Sequence, residues 1–158
     1  MTAPPHLMIT IYDPKRQILT TDLSLGFNKS MKLFNDIDLF HHYVLTSSNN
    51  KLFIVIPYDT AAELIDEFHV LRYIKYFYVF CDDLNLYDGS LHRFRKLRDV
   101  FQITELQSSQ LVHDITVDSA KEAMRYQRLN LNTLALEKLQ HVKTFLLKGF
   151  CSNENNGL

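Results

Sequence analysis

Five residues of this chain have types and positions suited to chemistry: Asp13, Asp59, Cys81, Asp82 and Asp83. Each closes or closely follows an apolar run. Asp13 ends LMITIYD, Asp59 follows LFIVIPY, and Cys81-Asp82-Asp83 ends YFYVFCDD. If those runs are strands of one sheet, their ends share a rim. Carboxylates on one rim suit a hard divalent cation or a phosphoryl group, because such cations take several oxygen ligands. Cys81 would be a nucleophile only if a cation or a helix N-terminus lowered its pKa. Asp82 and Asp83 act the other way, and no His–Asn or His–Asp pattern points at the thiol, so a cysteine packed as a small hydrophobe is the plainer reading. The acids also have a plain reading, since Asp ends strands and opens turns by bonding its own backbone.

The remaining polar groups form no metal or nucleotide motif. His41, His42, His69, His92 and His113 lack the paired spacing of zinc ligands. HRFRKLR (His92 to Arg98) is the basic cluster. On a helix, Leu91, Phe94 and Leu97 would take the inner face and leave Arg93, Arg95, Lys96 and Arg98 in solvent, with Arg93 and Lys96 available to phosphate or an acidic partner. No aromatic platform or glycine-rich clamp accompanies these charges, which argues against nucleic acid. The glycines are Gly26, Gly89, Gly149 and Gly157, too few and too dispersed for a dinucleotide fingerprint, a P-loop or a nucleophile elbow. No cofactor and no metal are expected.

With 158 residues, 46% of them hydrophobic, the chain can build a core of ordinary size. The formal net charge of -1 gives no global field for nucleic acid or an anionic membrane. Cys81 and Cys151 make no disulfide framework and fit a reducing compartment. The N-terminal MTAPPHLMITIYD has no basic stretch leading into a long apolar one, and the apolar runs are strand-sized. A cytoplasmic protein with no membrane span is the expectation.

The elements that must position the rim follow from periodicity. Leu7 to Asp13, Ser30 to Asp36, Leu52 to Pro57 and the KYFYVFCDD run read as strands, and Val100 to Glu105 as a fifth. The continuous apolarity of LFIVIP and YFYVF predicts burial on both faces, as in a parallel sheet. Ile37 to Ser48 reads as a helix capped by Asp36. Thr60 to Leu71 reads as a helix with a capping box from Thr60 to Glu63 and an inner face of Ala61, Leu64, Ile65, Phe68 and Leu71. Gly89 to Asp99 reads as a short helix, and the segment from Pro14 to Ser30 as a short helix or a loop. A helical tract starts at SSQLVHDI and runs, with a break near 129–132, to about Phe150. Alternating strands and helices specify a parallel sheet with right-handed crossovers. The predicted fold is a three-layer α/β sandwich, five-stranded, in the flavodoxin-like order 2-1-3-4-5, whose ligands would gather at the strands' carboxyl ends.

This layout resembles the receiver domains of two-component signalling. In that family acids follow the first strand, a phosphate-accepting Asp ends the third, a hydroxyl residue ends the fourth and a Lys-Pro pair follows the fifth. Here Asp13 is single and precedes Pro14, Pro57 and Tyr58 stand at the acceptor's place, and Cys81-Asp82-Asp83 ends the fourth strand. ITELQSS carries no Lys-Pro pair. Over roughly residues 34–106, the runs FNDIDLFHHYVLTSSNNKLFIVIPYD, IKYFYVFCDD and FRKLRDVFQITEL are similar to a receiver-like domain of invertebrate multidomain proteins. There it precedes an ADP-ribosyltransferase module or tetratricopeptide repeats. The resemblance implies a regulatory or docking domain and does not import transferase activity, because no Arg, Ser and Glu-x-Glu set for NAD chemistry is present.

In LNTLALEKLQHVKTFLLKGF, the stripe Leu131, Ala135, Leu139, Val142 and Leu146 either packs back on the sheet or serves a dimer or a neighbouring module. The expected organisation is a receiver-like domain over 1–116, a helical extension over 117–150 and a disordered polar tail over 151–158. The expected function is a non-catalytic regulatory or interaction module that meets a protein partner or a second copy through its helical faces. Arg93, Lys96, Leu139, Val142 and Leu146 are the candidate surface. The alternative is a phospho-sensing or metal-dependent enzyme domain working from the acidic rim.

Overall fold

The computed structural model describes residues 5–18, 31–103, 109–129, 132–140 and 142–143. They fall into two compact units, one up to residue 103 and one from residue 109 on. The first unit holds β1 (His6–Tyr12), β2 (Met31–Phe34), α1 (Ile37–Leu45), β3 (Asn50–Pro57), α2 (Tyr58–Phe68), β4 (Ile74–Cys81) and β5 (Leu97–Gln102). All four strand pairings are parallel, and the order is 2-1-3-4-5, as the alternation of elements predicts. The segment 19–30, where a short helix or a loop was expected, and the tail 151–158 lie outside the described residues.

The central strands are apolar on both faces because both faces are buried. On one, Met8, Tyr12, Leu52, Ile54, Ile56, Phe77 and Val79 pack with Phe40 and Val44 of α1 and with Ala61, Leu64, Ile65 and Phe68 of α2. The alternate residues Leu7, Ile9, Ile11, Phe53, Val55, Tyr78 and Phe80 are buried too. At about 1.5–3 kcal/mol per large apolar side chain taken out of water, this core is what fixes the strand ends. α1 starts where its sequence predicts. The Asp36 carboxylate accepts from the amides of Asp38 at 2.8 Å and Leu39 at 3.1 Å.

Two local expectations are corrected. α2 begins at Tyr58, not Thr60, and has no side-chain cap; Pro57, extended at φ -74° and ψ 152°, is its N-cap residue. β3 therefore runs directly into the helix, since proline both ends the ladder and holds a φ compatible with the first turn. Thr60 lies inside the helix, and its hydroxyl is buried with no hydrogen-bond partner among the described residues. Between β4 and β5 the expected helix over Gly89 to Asp99 is replaced by two 3-10 turns, Leu84–Leu86 and Ser90–Arg93, and β5 starts at Leu97. A spacing of three suits a 3-10 turn as well as a helix. Pairing with β4 decides the outcome: the Phe77 amide donates to the Lys96 carbonyl at 2.8 Å, and Leu97 pairs with Phe77. Gly89, at φ +82°, supplies the left-handed step that opens the second turn.

The second unit holds α3 (Ser109–Arg128), which is unbroken at the expected boundary of 116–117, followed by a turn at Leu129 and helical residues 132–140. Lys138 is buried and lies 2.9 Å from Glu122, also buried. Of the stripe read from the sequence, Ala135 is buried, Val142 is half-buried and Leu139 is 43% exposed. Leu131 and Leu146 lie outside the described residues. No helix of the described residues is long and apolar enough to cross a membrane.

Candidate functional site

The carboxyl ends of β1, β3 and β4 enclose a cleft of about 290 Å³. It lies where the strand order changes direction, between the segment after β1 and the start of α2. Its buried floor includes Pro57, Phe80 and Cys81, and its exposed mouth includes Asp59, Asp82, Asp83, Lys15 and Leu86. Asp59, Cys81, Asp82 and Asp83 thus share one cleft, as their positions after apolar runs suggest. Asp13 does not line it.

Asp13 instead builds the segment that borders the cleft. It is fully buried, and its two oxygens accept from the backbone amides of Gln17 at 3.0 Å and Ile18 at 2.8 Å. Its own amide donates to the Phe34 carbonyl at 2.8 Å, tying the end of β1 to the end of β2. These bonds fold residues 13–18 into a tight bend, with Arg16 at a φ of +52° and Ile18 buried. The bend carries two side chains to the rim. Lys15 Nζ lies 3.4 Å from Asp59 Oδ2, and Gln17 Nε2 donates to Asp82 Oδ1 at 2.9 Å.

The other rim groups have local work as well. Asp83 accepts from the Asn85 amide at 3.0 Å and opens the first 3-10 turn. The Cys81 thiol donates to the Phe101 carbonyl at 3.5 Å. Burial pushes its pKa up, and Asp83 and Asp82 push it further, so it stays a protonated thiol at neutral pH. That is the opposite of what a nucleophile needs. Tyr58, at the first turn of α2, lies edge-on to Tyr87 with ring centroids 5.7 Å apart, and its hydroxyl donates to Asp88 at 3.4 Å. Among the described residues, no group of three or more His, Cys, Asp or Glu side chains is placed to hold a metal ion.

The basic cluster is not one helix face. Lys96 is half-buried and donates to the Leu71 carbonyl at 2.7 Å, closing the turn after α2; burial lowers its pKa. Arg93 is exposed, with its guanidinium 4.6 Å from the Phe94 ring centroid. The histidines are dispersed: His41 packs on Phe68, His69 on Phe94 and His92 on Tyr87. Sequence reasoning did not single out Lys15 or Gln17 as members of the rim. Only Pro14, next to them, signals a bend there.

No family model matches this chain, and no curated protein or solved structure matches it either.

Proposed function

We propose that this chain is a non-catalytic regulatory or protein-interaction module on a receiver-like scaffold, working in the cytoplasm. The observation that carries this reading is the work already assigned to the rim acids. Asp13 holds two backbone amides, Asp59 faces Lys15, Asp82 accepts from Gln17, and Asp83 caps a turn. A phosphoryl or metal site needs several of these oxygens directed at one point. Pro57 and Tyr58 stand where a receiver's acceptor would be, and the Cys81 thiol is buried and held protonated. Exposed leucines at 134, 136 and 139 offer apolar contact for a partner or a second copy.

The test is incubation of the full chain with acetyl phosphate and Mg²⁺, followed by intact mass and amide chemical shifts. The expected result is no phosphoryl adduct and no saturable shift at Asp13, Asp59 or Asp82. An adduct on Asp59, or Mg²⁺ binding at the rim, overturns the reading in favour of phospho-sensing.

A further inference from the structure

The rim cleft has an apolar floor and a charged mouth. Pro57 and Phe80 are buried at its base, Leu86 is 74% exposed at its lip, and Asp59, Asp82 and Asp83 are exposed around it. Among its lining residues, Lys15 alone opposes those three carboxylates. A phosphate or carboxylate ligand would meet like charge. A bare divalent cation would need oxygens that converge, and these do not. A long basic side chain fits both parts: its aliphatic stem covers apolar surface while its head stays with carboxylates in water. The chain already satisfies the mouth in this way from within. The Lys15 ammonium sits on Asp59 and the Gln17 amide on Asp82, both carried by the one bend after β1.

We propose, building on the reading of the chain as a binding module, that this cleft receives an arginine or lysine side chain of a protein partner. The stem lies against Pro57, Phe80 and Leu86, and the cationic head displaces Lys15 and Gln17 from Asp59 and Asp82. Lys15 and Gln17 are then internal competitors that weaken capture of the partner.

The probe is a capped Gly-Gly-Arg-Gly-Gly peptide, with its citrulline counterpart as a neutral control of the same shape. Binding to the full, isotope-labelled chain is followed by amide shifts. For one basic side chain the affinity is weak, on the order of 1 mM. The arginine peptide should shift amides around Tyr58, Asp59 and Cys81 to Asp83 in a saturable way, and the citrulline peptide should not. Gln17→Ala changes no charge but frees Asp82, so it should tighten binding about three- to ten-fold. Asp59→Asn with Asp82→Asn should weaken it at least about ten-fold. Asp66→Asn, which removes an exposed charge from α2 outside the cleft lining, should leave it unchanged. Equal binding of the citrulline peptide, shifts dispersed over the surface, or no gain from Gln17→Ala overturns the proposal. None of those results produces a phosphoryl adduct, so the module reading stands or falls separately.

Discussion

Replacing Asp13 separates a structural rim from a reactive one. Its carboxylate is fully buried and accepts from the Gln17 and Ile18 amides at 3.0 and 2.8 Å. Hydrogen bonds to a charged acceptor contribute about 1.5–3 kcal/mol each, and a buried donor left without a partner costs about 1–3 kcal/mol. Removing the carboxylate also removes the cost of burying it, which offsets part of the loss. Asp13→Ala should therefore lower stability by about 2–4 kcal/mol. Asp13→Asn keeps one acceptor oxygen but turns an N–H towards the second amide, so it should lower stability by about 1–3 kcal/mol. With a urea m-value of about 2 kcal/mol/M, the midpoint falls by about 1–2 M for the alanine variant. Equilibrium urea unfolding followed by circular dichroism measures both. If Asp13 belonged to a repelling acidic cluster kept for a cation, neutralising it would relieve like-charge repulsion and raise the midpoint. An Asp13→Asn chain as stable as the wild type, or more so, refutes the structural assignment.

Two further tests address stability. The Thr60 hydroxyl is buried with no partner among the described residues, so Thr60→Val should leave the urea midpoint unchanged or raise it, whereas Asp36→Ala, which removes a working cap, should cost about 1 kcal/mol. A loss at Thr60 equal to that at Asp36 would mean that the hydroxyl caps α2 after all. Burial raises Cys81 above its ordinary 9.0 and is the main cause raising Tyr12, Tyr43, Tyr73, Tyr87 and Tyr126 above 10.0. As pH climbs past about 9 the unfolded chain loses these protons first, so stability should fall. Lys96, lowered from 10.5 by burial, has the opposite sign: the unfolded ammonium keeps its proton longer and adds stability as pH rises through the folded pKa. Lys96→Met should therefore make the alkaline decline steeper, as read from urea midpoints between about pH 8 and 11; a shallower decline contradicts the sign.

Much of the scaffold can be read locally. LFIVIP and FYVF are apolar at every position because each side chain is buried in a packed face, as in a buried parallel sheet. Asp36 signals its helix because an N-cap acts only on amides two and three residues ahead. The same local reasoning misplaces the start of α2. T-x-x-E has the form of a capping box, but the helix had already begun at Tyr58 under the direction of Pro57. It also takes Leu91, Phe94 and Leu97 for a helix, although a strand edge claims Leu97.

The sequence by itself determined the strands, their parallel order and the gathering of Asp59, Cys81, Asp82 and Asp83 at one rim. Hydrophobic periodicity carries that information, and it is written over a few residues at a time. Which partners Asp59 and Asp82 meet was decided by the tertiary structure alone, whereas Asp13 and Asp83 bond backbone amides two to five residues ahead. Gln17 reaches Asp82 across 65 residues, Lys15 reaches Asp59 across 44, and Lys96 reaches the Leu71 carbonyl across 25. A carboxylate looks the same in a sequence whether it meets a cation, a ligand or a backbone amide. Which of these it meets depends on chain closure over distances that local pattern does not encode.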